Sequence, residues 1–135
     1  MASIRKEVTI DATPEHVWDA LRDVGQLHTR VAIGFVTECR LDGDARVVTF
    51  ANGMVVRELI VDVDDAALRV AWSAVGGRLS HHNASTQVFA GEGGTSRVVW
   101  IADLLPHELA PAIAGMIEHG LRSMRKTLEE SARRA

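Results

Sequence analysis

The chain has 135 residues, of which 47% are hydrophobic and 24% are charged, values that are ordinary for a globular protein and exclude a disordered or fibrous chain. A chain of this length can bury one self-sufficient core, so we predict a single domain over residues 1–135. The formal net charge of −3 argues against a nucleic-acid partner, because affinity for phosphate backbones comes from concentrated Lys and Arg.

Neither membrane insertion nor export is indicated by the sequence. No apolar run reaches the roughly 18 to 20 residues that span a bilayer, and residues 1–11 lack the continuous apolar stretch of a secretion signal. The single cysteine, Cys39, has no second cysteine in the chain for a disulfide. We therefore expect a cytoplasmic protein in a reducing compartment.

The N-terminal part of the chain predicts a strand followed by a helix. Ile4, Val8 and Ile10 recur with the period of two that suits a half-buried strand. Thr13-Pro14 then places a hydroxyl at the N-cap of a helix and proline at its first position. The helix is predicted to end at Gly25 and carries one apolar stripe, Val17, Trp18, Leu21 and Val24. A second short helix or an irregular turn is expected from Gln26 into the thirties.

The middle of the chain predicts six further strands separated by turn residues. Asp42-Gly43-Asp44, Asn52-Gly53 and the glycine-rich stretch 91–94 supply the positive φ values of tight hairpins. Consecutive hairpins indicate an antiparallel meander. The connection after the fourth of these strands is either the turn Gly76-Gly77 or a longer loop over 76–80. The predicted strands are 35–41, 45–51, 54–63, 68–75, 79–90 and 96–104.

A long amphipathic helix of at most about thirty residues is predicted after Pro106. Its apolar positions follow spacings of three and four: Leu109, Ile113, Met116, Ile117, Leu121, Met124 and Leu128. Gly120 lies in the middle of this stripe, although glycine costs about 1 kcal/mol relative to alanine in a helix interior. Either a close contact with a strand or room for a ligand explains a glycine there.

The order of elements predicts an α+β fold in which a curved antiparallel sheet of seven strands wraps around the C-terminal helix. One or two short helices follow strand 1. A strongly curved sheet cannot contact the helix along its full width, so we expect a cavity between them.

Four segments resemble the START-like, or SRPBCC, superfamily, and within it the polyketide cyclase/dehydrase branch. They are residues 8–18 (VTIDATPEHVW), 53–58 (GMVVRE), 81–85 (HHNAS) and 100–106 (WIADLLP). The resemblance covers essentially the whole chain and implies a helix-grip fold with a hydrophobic cavity under the C-terminal helix. Members use that cavity to bind lipids, hormones or polyketides, or for cyclisation, dehydration and hydroxylation. The chain lacks the Cys and His pair of the superfamily's Rieske-type oxygenases, which argues against an iron–sulfur or non-haem iron role. Its six histidines show no HExxH motif and Cys39 has no second cysteine, so no metal or cofactor is expected.

His82 is one candidate acid or base. Adjacent strand residues point to opposite faces, so only one of His81 and His82 enters the cavity. The alternation of Ala84, Thr86 and Val88 with more polar neighbours places His82 inside. There it either transfers protons as a general acid or base, or is hydrogen-bonded to backbone or ligand at the mouth of the pocket.

Glu58 is the second candidate. It alternates with Arg57 in a strand that is apolar on both faces, so periodicity does not decide which charge points inward. The family resemblance favours Glu58. A carboxylate in an apolar cavity would act as acid or base. The alternative is a cross-strand salt bridge.

Further residues are predicted around the ligand. Trp72 and Trp100 either line the cavity or fill the core. His28 is expected at the pocket entrance, and Asp103 either caps the final helix or contributes to the cavity mouth. The remaining predicted wall residues are Ile113, Met116, Gly120 and Met124.

These observations predict a protein that binds a small hydrophobic molecule, lipid-like or polyketide and aromatic in type. The alternative is a cofactor-free cyclase or dehydratase in which Glu58 and His82 exchange protons with the substrate. A third possibility is a domain that docks a partner protein, which would require an exposed apolar patch instead of a cavity. The sequence allows a homodimer without requiring one.

Overall fold

The computed structural model describes residues 2–135 and contains a seven-stranded antiparallel sheet with the order β1-β7-β6-β5-β4-β3-β2. The strands are β1 Ala2–Ile10, β2 Val36–Asp42, β3 Ala45–Phe50, β4 Val55–Asp64, β5 Arg69–Val75, β6 His81–Ala90 and β7 Ser96–Leu105. The helices are α1 Pro14–Leu21 and α2 Ala110–Arg134, with a single π-helical turn at Leu27–Val31. The predicted helix-grip fold, a curved sheet with a long C-terminal helix, is confirmed.

Strands β2 to β7 follow one another in the sheet and form an antiparallel meander. The N-terminal strand β1 pairs with the last strand, β7. Gly43 and Gly53 have φ values of 60° and 88°, conformations that suit glycine at tight turns. The connection between β5 and β6 is the longer of the two predicted alternatives, residues 76–80, so β6 begins at His81 and not at residue 79.

The register of the sheet separates the two faces by residue number. From β3 to β7, every strand residue that lines the space beneath α2 has an even number. Arg57 is therefore on the outer face, where it pairs with Asp42, and His81 is exposed. The inward positions of Glu58 and His82 follow from the same alternation.

Helix α2 buries one stripe against the sheet, and Ile117, Leu121 and Leu128 are almost fully inaccessible. The helix runs closest to β1 and to the π-helical turn, and it makes no comparably close approach to β3, β4, β5 or β6. The middle strands therefore curve away from the helix, and side chains must cross the gap.

Helix α1 begins as predicted and ends earlier. The Thr13 hydroxyl accepts a hydrogen bond from the His16 N–H at 3.2 Å, as an N-cap should. The helix ends at Leu21 and not at Gly25. Gly25 instead packs closely against Leu41, because a Cβ at this position would lie 2.9 Å from Leu41 Cγ. Val24, predicted in the helical stripe, lies beyond the helix, and its carbonyl accepts a hydrogen bond from Arg46.

No helix within residues 2–135 combines the length and the apolar character that crossing a bilayer requires.

Candidate ligand cavity

A cavity of about 150 Å³ lies between the concave face of the sheet and α2. Eight of the ten side chains predicted for the site line it: Glu58, Trp72, His82, Trp100, Ile113, Met116, Gly120 and Met124. Strand alternation brings the first four together, and the three- and four-residue spacing of α2 supplies the rest. Leu27, Val31 and Phe35, in and after the π-helical turn, form a further part of the wall.

Asp103 does not belong to the cavity. On β7 the residues Ala102 and Leu104 are buried inward, so the intervening Asp103 projects from the outer face, where it lines a separate groove. It does not cap α2 either, since the helix begins at Ala110 without a side-chain cap. Both roles predicted for Asp103 are therefore wrong, because strand parity turns its carboxylate away from the helix.

His28 lies in the π-helical turn but is not one of the cavity-lining residues. Its neighbours Leu27 and Val31 face the cavity. Nδ1 of His28 is buried, and within residues 2–135 it has no hydrogen-bond partner. The structure thus places His28 beside residues of the wall, with its Nδ1 buried.

Aromatic rings form much of the cavity wall. Trp72 and Trp100 meet edge to face with ring centroids 5.6 Å apart. Phe35 and Phe50 make a second edge-to-face pair at 5.3 Å. Such arrangements satisfy the ring quadrupoles and hold the rings in defined positions. The wall therefore presents fixed aromatic surfaces suited to a flat or apolar molecule.

A buried ion pair lies in this apolar wall. Arg46 on β3 and Glu58 on β4 are directly opposite in the sheet, and Arg46 Nε donates to Glu58 Oε1 at 2.8 Å. The two residues are 3% and 8% exposed. Arg46 also donates through Nη1 to the Val24 carbonyl at 3.3 Å, and its guanidinium carbon lies 5.2 Å from the Trp72 ring centroid. Glu58 therefore faces the cavity and at the same time forms a cross-strand salt bridge, so the two alternatives considered for it occur together.

Sheet register brings His82 to the same row as the ion pair. Glu58 is opposite Ala74 on β5, and the Ala74 N–H donates to Nδ1 of His82 at 2.9 Å. The row therefore runs Arg46, Glu58, Ala74, His82 across four strands. Burial lowers the pKa of His82 below its ordinary value of 6.5, and neighbouring His81 lowers it further. The hydrogen bond to backbone matches the second of the two roles considered for this histidine.

Gly120 lies where α2 packs closely against the aromatic wall. A Cβ at this position would lie 2.9 Å from Trp100 Cζ3 and 3.3 Å from Phe35 Cε2. Of the two explanations for this glycine, the structure supports the close contact. The glycine allows the helix to rest directly on two rings of the cavity wall.

Arg46, Phe35 and Phe50 are wall residues that sequence reasoning missed. Arg46 lies in a strand that is apolar on both faces, so periodicity does not single it out. The predicted two-residue turn Asn52-Gly53 would place Arg46 opposite Leu59. The observed turn is one residue longer, because the Phe50 N–H donates to the Met54 carbonyl, and Arg46 is therefore opposite Glu58.

The fold and the site define a helix-grip protein with an apolar cavity that contains a few polar groups. The model of the family described as polyketide cyclase / dehydrase and lipid transport matches residues 1–129. The chain belongs to that family. No curated protein matches the sequence at a significant level.

Solved structures share this fold at low sequence identity. XoxI from Bacillus cereus is 20% identical, with a TM-score of 0.84 and coverage of 95% of this chain and 96% of its own. A START superfamily protein from Mycobacterium smegmatis is 11% identical, with a TM-score of 0.73 and coverage of 98% and 97%. The di-domain ARO/CYC BexL from the BE-7585A biosynthetic pathway is 17% identical, with a TM-score of 0.77. That match covers 96% of this chain and 47% of BexL.

Removing one partner of the buried ion pair should cost much more than removing both. Arg46→Met leaves a buried carboxylate unpaired, and we expect a loss of about 3 to 5 kcal/mol in the free energy of unfolding. Arg46→Met combined with Glu58→Leu should cost far less than the two single losses added together. Urea denaturation measures both. As a control, Arg57→Met breaks the exposed ion pair between Asp42 and Arg57, the residue before Glu58 on β4. This variant should lose less than about 1 kcal/mol in the free energy of unfolding. Additive losses in the double variant would contradict the coupling.

Gly120→Ala and Gly115→Ala should differ although both lie in α2. Alanine normally stabilises a helix interior by about 1 kcal/mol relative to glycine. A Cβ added at Gly115 would have no neighbouring atom within 4 Å, so this variant should gain that stability. Gly120→Ala should gain none, because its methyl group would lie 2.9 Å from Trp100 Cζ3 and displace the ring. Chemical denaturation followed by tryptophan fluorescence tests the pair, and equal gains would show that the rings do not pack on Gly120.

The lowered pKa of His82 should make stability depend on pH below the ordinary histidine value of 6.5. Above pH 6.5 the ring is neutral in both the folded and the unfolded state. As the pH falls below that value, the unfolded chain takes up a proton first, so the free energy of unfolding decreases until the lower folded-state pKa is reached. His82→Asn should flatten this slope, whereas His81→Asn, which changes an exposed ring, should leave most of it. Equal slopes in wild type and His82→Asn would contradict the assignment.

Proposed function

We propose that the protein binds one small, largely apolar molecule, aromatic or lipid-like, in the cavity between the sheet and α2. The observation that carries the proposal is the wall: four aromatic rings and several aliphatic side chains around about 150 Å³ of space. An engineered apolar cavity of about that volume binds benzene. A single ring or a short alkyl segment therefore matches this volume.

Methionines give this wall room to adapt. Met54, Met116 and Met124 all line the cavity, and methionine changes rotamer readily to fit irregular ligands. Met54 is partly exposed beside the β3–β4 turn. A longer ligand would displace these side chains instead of the rigid tryptophans. Burial at roughly 25 cal/mol per Å², offset by association entropy, gives an expected affinity in the micromolar range.

The family description, which includes lipid transport, supports binding of an apolar molecule. The same description includes cyclase and dehydrase activity, and BexL is an ARO/CYC protein. A cofactor-free cyclase or dehydratase is therefore our second candidate. The observation that favours it is the row across the sheet, which brings Glu58 and His82 to either side of Ala74 within one apolar wall.

Native mass spectrometry of the protein purified from its own host is the direct test of binding. We expect a stoichiometric apolar molecule that is released on denaturation. In parallel, compounds with aromatic or acyl groups should raise the melting temperature by several degrees at saturating concentration. Gly120→Ala should weaken this binding and Gly115→Ala should not, because only the former moves Trp100. A protein that carries no such molecule and shows no thermal shift across the panel would refute the proposal.

The two candidates are separated by variants of the polar row. If the protein is an enzyme, Glu58→Gln and His82→Asn should remove turnover of a polyketide-like substrate while its affinity stays nearly intact. If the protein only binds, wild type should show no measurable turnover. The two variants should then lower the affinity for the ligand by similar amounts. Isothermal titration together with a product assay by mass spectrometry measures both quantities on the same preparation.

A further inference from the structure

The ring of His82 is held by the backbone of the neighbouring strand. Paired residues of β5 and β6 run from Arg69 and Gln87 to Trp72 and Ala84, and the pairing stops there. Beyond that point the Ala74 N–H donates to Nδ1 of His82 at 2.9 Å instead of to a ladder carbonyl. The Ser73 hydroxyl donates to the His82 carbonyl at 2.5 Å. The ring therefore takes the place of the missing ladder contact.

This hydrogen bond determines the tautomer. A backbone N–H can only donate, so Nδ1 must be the acceptor and carries no proton. In the neutral ring the proton is then on Nε2. Burial disfavours the charged ring and lowers the pKa of His82, and the neighbouring His81 lowers it further. Both effects favour the neutral ring. Protonation of Nδ1 would also break the bond to Ala74.

The polar groups of the cavity then differ in what they offer a ligand. Arg46 is paired with Glu58 through Nε and Oε1, and it also donates through Nη1 to the Val24 carbonyl. The hydrogen bond that the His82 ring makes within residues 2–135 is through Nδ1. Its Nε2–H, at the other end of a ring that lines the cavity, is left as a donor. A donor in an apolar wall is stabilised when it meets an acceptor.

The geometry points to a carbonyl-bearing ligand: we infer that His82 selects apolar molecules with a ketone, aldehyde or ester oxygen by donating a hydrogen bond from Nε2. This inference rests on the proposed function and names the class of ligand. A carbonyl oxygen only accepts hydrogen bonds, so the single donor that His82 supplies satisfies it. In this state His82 polarises a carbonyl and does not remove a proton, because Nε2 already carries one.

Two probes of nearly the same shape test the inference. Acetophenone has a carbonyl oxygen where α-methylstyrene has a CH₂ group, so only the former can accept from Nε2. In His82→Asn the side-chain oxygen can still accept from the Ala74 N–H, but the donor at the far end is lost. We expect the Kd of acetophenone, from NMR titration, to rise about three- to tenfold in this variant. The Kd of α-methylstyrene should change less than twofold. His81→Asn is the control and should change neither.

A spectroscopic measurement on the wild-type protein checks the tautomer without any variant. Long-range 1H–15N spectra should show His82 with its proton on Nε2, and the Nε2 resonance should shift with acetophenone and not with α-methylstyrene. A proton on Nδ1, or equal changes in affinity for the two probes in His82→Asn, would overturn the inference and leave binding itself intact. Failure of both probes to bind wild type would instead count against the proposed function, and the inference would fall with it.

Discussion

The constraint on which the rest of the structure depends is the register of strands β3 to β7. Because side chains alternate between faces, a slip of one residue would turn the cavity wall to the outside and the outer face to the helix. The hairpin turn at Gly53 sets this register for Arg46 and Glu58, and the pairing of β4 with β5 carries it on to Trp72 and Ala74. The aromatic wall, the ion pair and the anchored histidine are consequences of one alignment.

The ion pair shows what a polar group requires inside such a wall. A charge is costly to bury unless it is paired and hydrogen-bonded. Arg46 meets both conditions through Glu58 and the Val24 carbonyl, and it stacks against the face of Trp72. The pair also ties the loop after α1 to the middle of the sheet. This network limits how the cavity can deform, whereas the methionines of the wall allow it to adapt.

Features that depend on neighbouring residues were predicted correctly from the sequence, and features that depend on residues distant in the chain were not. Thr13 at a helix N-cap and the strands flanking Gly43 and Gly53 depend on neighbouring residues, and they are found where local pattern predicts them. The end of α1 and the position of Asp103 depend on distant contacts. Local pattern predicts Gly25 as a helix terminator, but its small size is needed against Leu41. The same kind of pattern predicts Asp103 as a cap, but its parity is set by pairing with β1 and β6.

The sequence by itself determined the class of fold, the long apolar stripe of α2 and eight residues of the cavity wall, because periodicity in strands and helices specifies which side chains share a face. Only the tertiary structure decided what the polar residues do. Periodicity could not choose between Arg57 and Glu58 in a strand that is apolar on both faces, nor identify Arg46 as the partner. The hydrogen bond from Ala74 to His82 arises where a ladder ends, and that depends on how two strands diverge in space.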